Sequence, residues 1–242
     1  MLRLVRHATL QLTAGGRRFL VDPMLGPAGG RPPVPGTPAQ RRNPLTELPE
    51  DAASVVAWAE AVLVTHLHAD HLDDEAVALI RDRLPVFCQP CDVETLRSRG
   101  LAHATAVDNV ASFEGVAIAR TGGRHGTGAI GERMGEVSGF VLDGSVYVAG
   151  DTIWCDEVAA ALSSHSPEVV VVNAGGARFL EGDPITMTAG DVLSVCELAP
   201  RATVVAVHLE AINHCVETRA ELAAAVAGRG VRIPLDGETV MF

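Results

Sequence analysis

Ala61-Val62-Leu63-Val64 runs directly into Thr65-His66-Leu67-His68-Ala69-Asp70-His71. An apolar run followed by three imidazoles and a carboxylate within six residues reads as a strand delivering ligands onto a loop. Metal ions are held in this way, by donors on irregular backbone anchored to a rigid element. Histidines also gather on solvated loops, but that leaves the abrupt change from apolar strand to alternating His without a cause. The metal reading is the stronger one, and it needs further ligands elsewhere in the chain.

Three other apolar runs end in the right residue types. Residues 116–120 read as a strand followed by Thr121-Gly122-Gly123-Arg124-His125-Gly126-Thr127-Gly128, whose glycines permit sharp backbone paths. Residues 140–142, Asp143-Gly144 and residues 146–149 form a hairpin pattern whose second arm ends at Gly150-Asp151-Thr152. Residues 202–207 are β-branched and end at His208. Alone, His125 or His208 would read as a structural histidine. Together with His66 and Asp151 they place ligand-type residues at separate strand ends, where loops of sheet folds converge on a site.

The inventory is His66, His68, Asp70, His71, His125, Asp151 and His208. That is too many for one tetrahedral zinc, which takes about four ligands including solvent. It suits two divalent ions, with His66, His68 and His125 on one, Asp70, His71 and His208 on the other, and Asp151 between them. Two ions about 3.5–4 Å apart can share a hydroxide and lower the pKa of its parent water toward neutrality. Nitrogen and oxygen donors suit zinc or manganese, and iron also fits.

His-x-His-x-Asp-His after a strand, followed by His, Asp and His at later strand ends, resembles the metallo-β-lactamase superfamily. The resemblance covers nearly the whole chain, with all seven ligand positions matched in order. It implies an α/β fold, a four-layer αββα sandwich of two mixed sheets flanked by helices, with a dinuclear site at one edge. Residues 1–242 would form a single such domain. His7-Ala8-Thr9, Val21-Asp22-Pro23 and the surroundings of Asn213-His214 look most like the ascorbate-6-phosphate lactonase-like branch. His68 stands where flavodiiron oxidases of the superfamily carry Glu, which points away from oxygen chemistry. Glyoxalase-type thioesterases share the ligand set and stay open.

The expected activity is hydrolysis of an ester-like bond, foremost a lactone. Asp70 is the candidate to pass a proton to the leaving oxygen. His214 is a candidate substrate contact, or else a structural histidine at a helix start. His7, Asp22 and Asn173 are candidates to orient ligands or touch substrate, although an Asp after a strand can also be a plain turn residue. Phosphodiester hydrolysis by the same ions is an alternative. A non-catalytic metal-binding or regulatory protein is another, opposed by the completeness of the ligand set.

The remaining sequence sets bounds. Residues 26–49 are rich in Pro, Gly and Arg and lack periodicity, as lids and binding loops do. Arg31, Arg41, Arg42 and Asn43 could meet an anionic small-molecule substrate there, or could be solvated. The net charge of −11, with all 19 basic residues arginine, argues against nucleic acid as partner. Neither a signal peptide's apolar region nor a membrane-length run is present, so a cytoplasmic protein is expected, and a homo-oligomer is compatible with this sequence. Five cysteines without a secretory signal suggest free thiols, and Cys88-Gln89-Pro90-Cys91 reads more readily as a strand-to-helix turn than as a redox pair.

Overall fold

The computed structural model describes residues 1–242, the side chain of Asp82 excepted. Three antiparallel strands open the chain: β1 (Leu2–Arg6), β2 (Thr9–Ala14) and β3 (Arg17–Val21). After the long loop come α1 (Ala52–Ala57), β4 (Ala61–Val64), α2 (Asp74–Ile80), β5 (Val86–Cys88), α3 (Val93–Ser98) and β6 (Ala104–Ala106). The three strands of this segment add in parallel to β3. The second half holds β7 (Val110–Phe113), β8 (Val116–Gly122), α4 (Gly128–Met134), β9 (Ser138–Leu142), β10 (Val146–Val148) and α5 (Asp156–His165). It finishes with β11 (Val169–Asn173), α6 (Ala189–Leu198), β12 (Thr203–Val207), α7 (Arg219–Ala225) and β13 (Thr239–Val240).

The strands form two mixed sheets, β13-β1-β2-β3-β4-β5-β6 and β12-β11-β10-β9-β8-β7. Each has an antiparallel half built from hairpins and a parallel half built from strand–helix units. Alternation along the strands assigns the layers. Ala61 and Leu63 of β4 face the core between the sheets, as do Val169 and Val171 of β11. Val62 and Val64 face α1, α2 and α3, whereas Val170 and Val172 face α5 and α6. Strands apolar on both faces thus make an αββα sandwich, the architecture expected from the motif.

Short-range signals account for several element boundaries. Asp73 caps α2 by accepting from the Ala76 amide, and Thr188 and Thr218 close capping boxes on α6 and α7. The Asp143-Gly144 hairpin turn has both residues at positive φ, 51° and 66°. α2 ends at Ile80, and a 3-10 turn follows. The segment 121–128, expected to be all loop, splits between the end of β8 and the start of α4, a helix with no buried residue and hence no apolar face to signal it.

At one edge the sheets are stitched directly, the Ser138 amide donating to Thr65 O (3.2 Å) and the His208 amide to His7 O (2.9 Å). The four strand ends singled out in the sequence meet at this edge.

Candidate metal centre

The loop after β4 places His66 and His71 in buried positions, with His68 and Asp70 partly open to solvent. His66 Nε2 lies 2.9 Å from His68 Nδ1, and His125 Nε2 lies 3.2 Å from the same atom. Donors about 2.0–2.1 Å from a tetrahedral zinc stand about 3.3 Å apart, so these three nitrogens have the spacing of ligands around one ion. A second group, His7, Asp70, His71 and His208, also offers donor atoms all within 4.8 Å of one another. Asp151 joins the two, its Oδ2 3.4 Å from His125 Nε2 and 3.3 Å from His71 Nε2, its Oδ1 3.3 Å from His208 Nε2. The seven residues picked from the sequence lie together in one cluster, which His7 joins and in which His66 and His71 also group with Asp151.

Hydrogen bonds on the outer side fix which nitrogen faces inward. His125 Nδ1 meets the Ile185 carbonyl at 2.7 Å, so it carries the proton and Nε2 keeps its lone pair. His71 Nδ1 donates to Asp22 Oδ2 at 2.8 Å. Asp22 also accepts from the Thr65 amide (2.8 Å, Oδ1) and the Thr65 hydroxyl (2.7 Å, Oδ2). With its proton spent on Asp22, Thr65 Oγ1 accepts from His66 Nδ1 at 3.1 Å. One carboxylate thus orients His66 and His71 together. Asn173 Nδ2 holds Asp151 Oδ1 at 2.7 Å, and the Cys215 thiol sits 3.4 Å from His208 Nδ1.

The electrostatics fit a cation. His71 Nε2 and His208 Nε2 are buried and have no hydrogen-bond partner, although carboxylate oxygens lie near them. Burial alone would lower the pKa of His71, but Asp151 and Asp22 outweigh it and push it well above the ordinary imidazole value. His208 is driven to about 10 against its burial, chiefly by Asp151. Burial opposes the charge on Asp70 and Asp151, yet the surrounding histidines hold both carboxyls well below their usual range. Without metal, this cluster takes up protons where a divalent ion would supply the positive charge.

His7 was read only as an orienting or substrate residue. It turns out fully buried inside the second group, at φ 62° in the β1–β2 turn, with its ring centroid 3.6 Å from that of His208. Its Nε2 bonds Asp70 Oδ2 at 3.2 Å, while its Nδ1 has no partner. A buried lone pair costs less to leave unpaired than a buried N–H, so the Nε2–H tautomer donating to Asp70 is favoured.

A cavity of about 320 Å³ opens onto the cluster. His68, Asp70, His125, Asp151 and His214 form its polar floor, while Pro32 to Pro35, Met134, Phe179, Ile185 and Ile212 form apolar walls. Arg31 is the one cation in the lining, and its guanidinium donates to the Ala69 carbonyl. Arg41 and Arg42 lie outside this lining. The walls came from segments without periodicity, so the sequence carried no signal for Met134, Phe179 or Ile185 as cavity residues. The Cys88 and Cys91 thiols are both free, and both are pushed up to about 12, first by burial and then by Asp92. At neutral pH that leaves neither as a thiolate.

Comparison with known proteins agrees with this architecture. The model of the beta-lactamase superfamily domain matches residues 17–209. The chain is 34% identical to the UPF0173 protein YddR of Bacillus subtilis over 98% of both chains. It superimposes on a structure described as a possible metal-dependent hydrolase from Veillonella parvula with a TM-score of 0.95 and 32% identity, covering 100% of this chain and 98% of that one. An isothiocyanate hydrolase from Delia radicum gut bacteria gives a TM-score of 0.93 and 34% identity with the same coverage. The chain therefore belongs to the beta-lactamase superfamily, among relatives named metal-dependent hydrolases, and carries a histidine–aspartate cluster able to hold metal.

Proposed function

We propose that this protein is a dinuclear hydrolase that adds water to an electrophilic carbon in a small, uncharged substrate with an apolar tail, an isothiocyanate being the first candidate. The observation that carries this reading is the cavity, whose apolar walls lead down to the ligand cluster. His66, His68 and His125 would hold one ion and Asp70, His71 and His208 the other, with Asp151 between. Such a pair would supply water of lowered pKa and a Lewis acid for the heteroatom of the substrate.

The chain's own residues do the rest. Asp70 faces the cavity, and the bond from His7 on Oδ2 holds its carboxylate in place. From there it can take the proton of the attacking water and return it to the substrate nitrogen. His214 lines the same floor, and its buried Nδ1 has no protein partner, which suits it to bond the substrate. For an isothiocyanate, a C–O bond forms at the central carbon and a proton goes to nitrogen. The resulting thiocarbamic acid passes its remaining proton, the second one from the water, to nitrogen as its C–N bond breaks, giving an amine and carbonyl sulfide.

A lactone is the second reading, supported by the resemblance of His7-Ala8-Thr9 and Asn213-His214 to the lactonase-like branch. A phosphodiester is less well served, because Arg31 is engaged on Ala69 and no other arginine among the described residues lines the cavity. The test is to assay zinc- and manganese-loaded protein in parallel on benzyl isothiocyanate, a lactone panel and bis(p-nitrophenyl) phosphate. Isothiocyanate turnover that vanishes in Asp151→Ala together with part of the bound metal is expected. Preference for the phosphodiester, or wild-type turnover by Asp151→Ala, would overturn the reading.

A further inference from the structure

Three of the four residues in the wall from Pro32 to Pro35 are prolines, so this segment has a single backbone N–H with which to be anchored. That N–H, on Val34, donates to Asn213 Oδ1 at 3.0 Å. A backbone amide can only donate, which fixes the side-chain orientation of Asn213. Its Nδ2 then faces three acceptors: Val34 O (3.2 Å), Thr37 Oγ1 (2.7 Å) and the Ala39 carbonyl. Asn43 completes the arrangement from the far end of the loop. Its Nδ2 donates to Asn213 Oδ1 at 2.7 Å, and its Oδ1 accepts from the Asn213 amide at 2.9 Å. Asn213 is buried, so these bonds form away from competing water. On either side of it, Ile212 lines the cavity wall and His214 its floor.

The geometry points to Asn213 as a positioning residue that clamps the proline wall to the floor and thereby sets which apolar tails the cavity accepts. This inference rests on the proposed use of the cavity for substrate, but not on the identity of the substrate. The clamp touches no ligand-type residue, so its loss should leave metal binding intact and change only the side of the site that contacts the tail. A buried amide with this many bonds could instead serve stability alone, and the two roles separate by what they change.

The test uses alkyl hydroxamates on zinc-loaded protein, since they bind metal without requiring turnover. Affinities of acetohydroxamate, hexanohydroxamate and 4-phenylbutanohydroxamate are compared by calorimetry for wild type, Asn213→Ala and Thr37→Val. Wild type should bind more tightly as the tail grows. Asn213→Ala should keep acetohydroxamate affinity within about 3-fold and lose about 10-fold of the gain from the tail, the scale of a lost apolar contact in a pocket. Thr37→Val, which alters only the loop side of the clamp, should lose less of the gain and covers the case in which Asn213→Ala does not fold. Hydrogen exchange at the Val34 amide should accelerate in both variants with zinc content unchanged. Equal weakening for every tail length, an undiminished tail gain, or unchanged Val34 exchange would overturn the clamp. Absence of isothiocyanate turnover would overturn only the substrate proposed above.

Discussion

Asp22→Asn changes one atom and should disable much of the metal centre. Asp22 Oδ1 accepts from the Thr65 backbone amide, an obligate donor, so the oxygen of an asparagine must take that place. Its Nδ2 then faces Thr65 Oγ1 and His71 Nδ1, at 2.7 and 2.8 Å from the atom it replaces. Either His71 Nδ1–H stays buried against another donor, at about 1–3 kcal/mol, or the ring adopts the Nε2–H tautomer and loses its inward lone pair. Thr65, now receiving a hydrogen bond from Nδ2, turns its proton toward His66 Nδ1 and drives the same tautomer change there. Each 1.4 kcal/mol is tenfold, so a 10–100-fold loss of metal affinity is expected, the usual effect of removing a partner that orients a ligand. Asp22→Ala leaves room for a water that accepts from His71 Nδ1 and from the Thr65 hydroxyl, so Thr65 can still accept from His66 and the variant should bind metal better than Asp22→Asn while melting at a lower temperature. Competition against a chromophoric chelator and a thermal melt measure both quantities. Wild-type zinc affinity in Asp22→Asn, or weaker binding in Asp22→Ala than in Asp22→Asn, would refute the tautomer argument.

Three further outcomes follow from the same geometry. A Cβ on Gly175 would come within 2.2 Å of the His208 carbonyl, so Gly175→Ala should cost about 1–3 kcal/mol in a denaturant melt and displace His208, with reduced zinc content as the check. In the metal-free protein His208 is pushed up to about 10 against its burial, chiefly by Asp151, and His71 is also raised, so their contribution to stability is complete below the ordinary imidazole value of about 6.5. That contribution fades as pH rises through the folded values. Zinc uptake at pH 8 should therefore release a proton from His208, read by calorimetry in buffers of different ionisation heat, and zero release would contradict the assignment. Because Cys88 and Cys91 are free and protonated at neutral pH, reductant and Cys91→Ser should each leave hydrolysis unchanged, whereas loss of activity in either would assign the pair a role.

Much of this protein was legible because its chemistry is local in sequence. Ala61-Val62-Leu63-Val64 before His66, His68, Asp70 and His71 specifies a buried strand that ends in ligand-type residues, and the same logic marks His125, Asp151 and His208. The hairpin with the Asp143-Gly144 turn could be read for the same reason. Each signal lies within a few residues of the element it specifies.

Contacts between distant segments were decided by the tertiary structure. That His7 packs on His208, or that Asp22 orients both His66 and His71, follows from the two sheets meeting at one edge. The α4 helix has no buried face, so no periodicity announces it, yet Met134 at its end lines the cavity. The loop 26–49 has no hydrogen-bonding period either, and its course is fixed by side chains far along the chain, chiefly Asn213. The sequence by itself determined the fold class and marked the histidine and aspartate residues able to hold metal, because strand patterning and ligand chemistry are properties of neighbouring residues. The cavity's shape and polarity were decided only in three dimensions, because its walls come from segments brought together solely by packing.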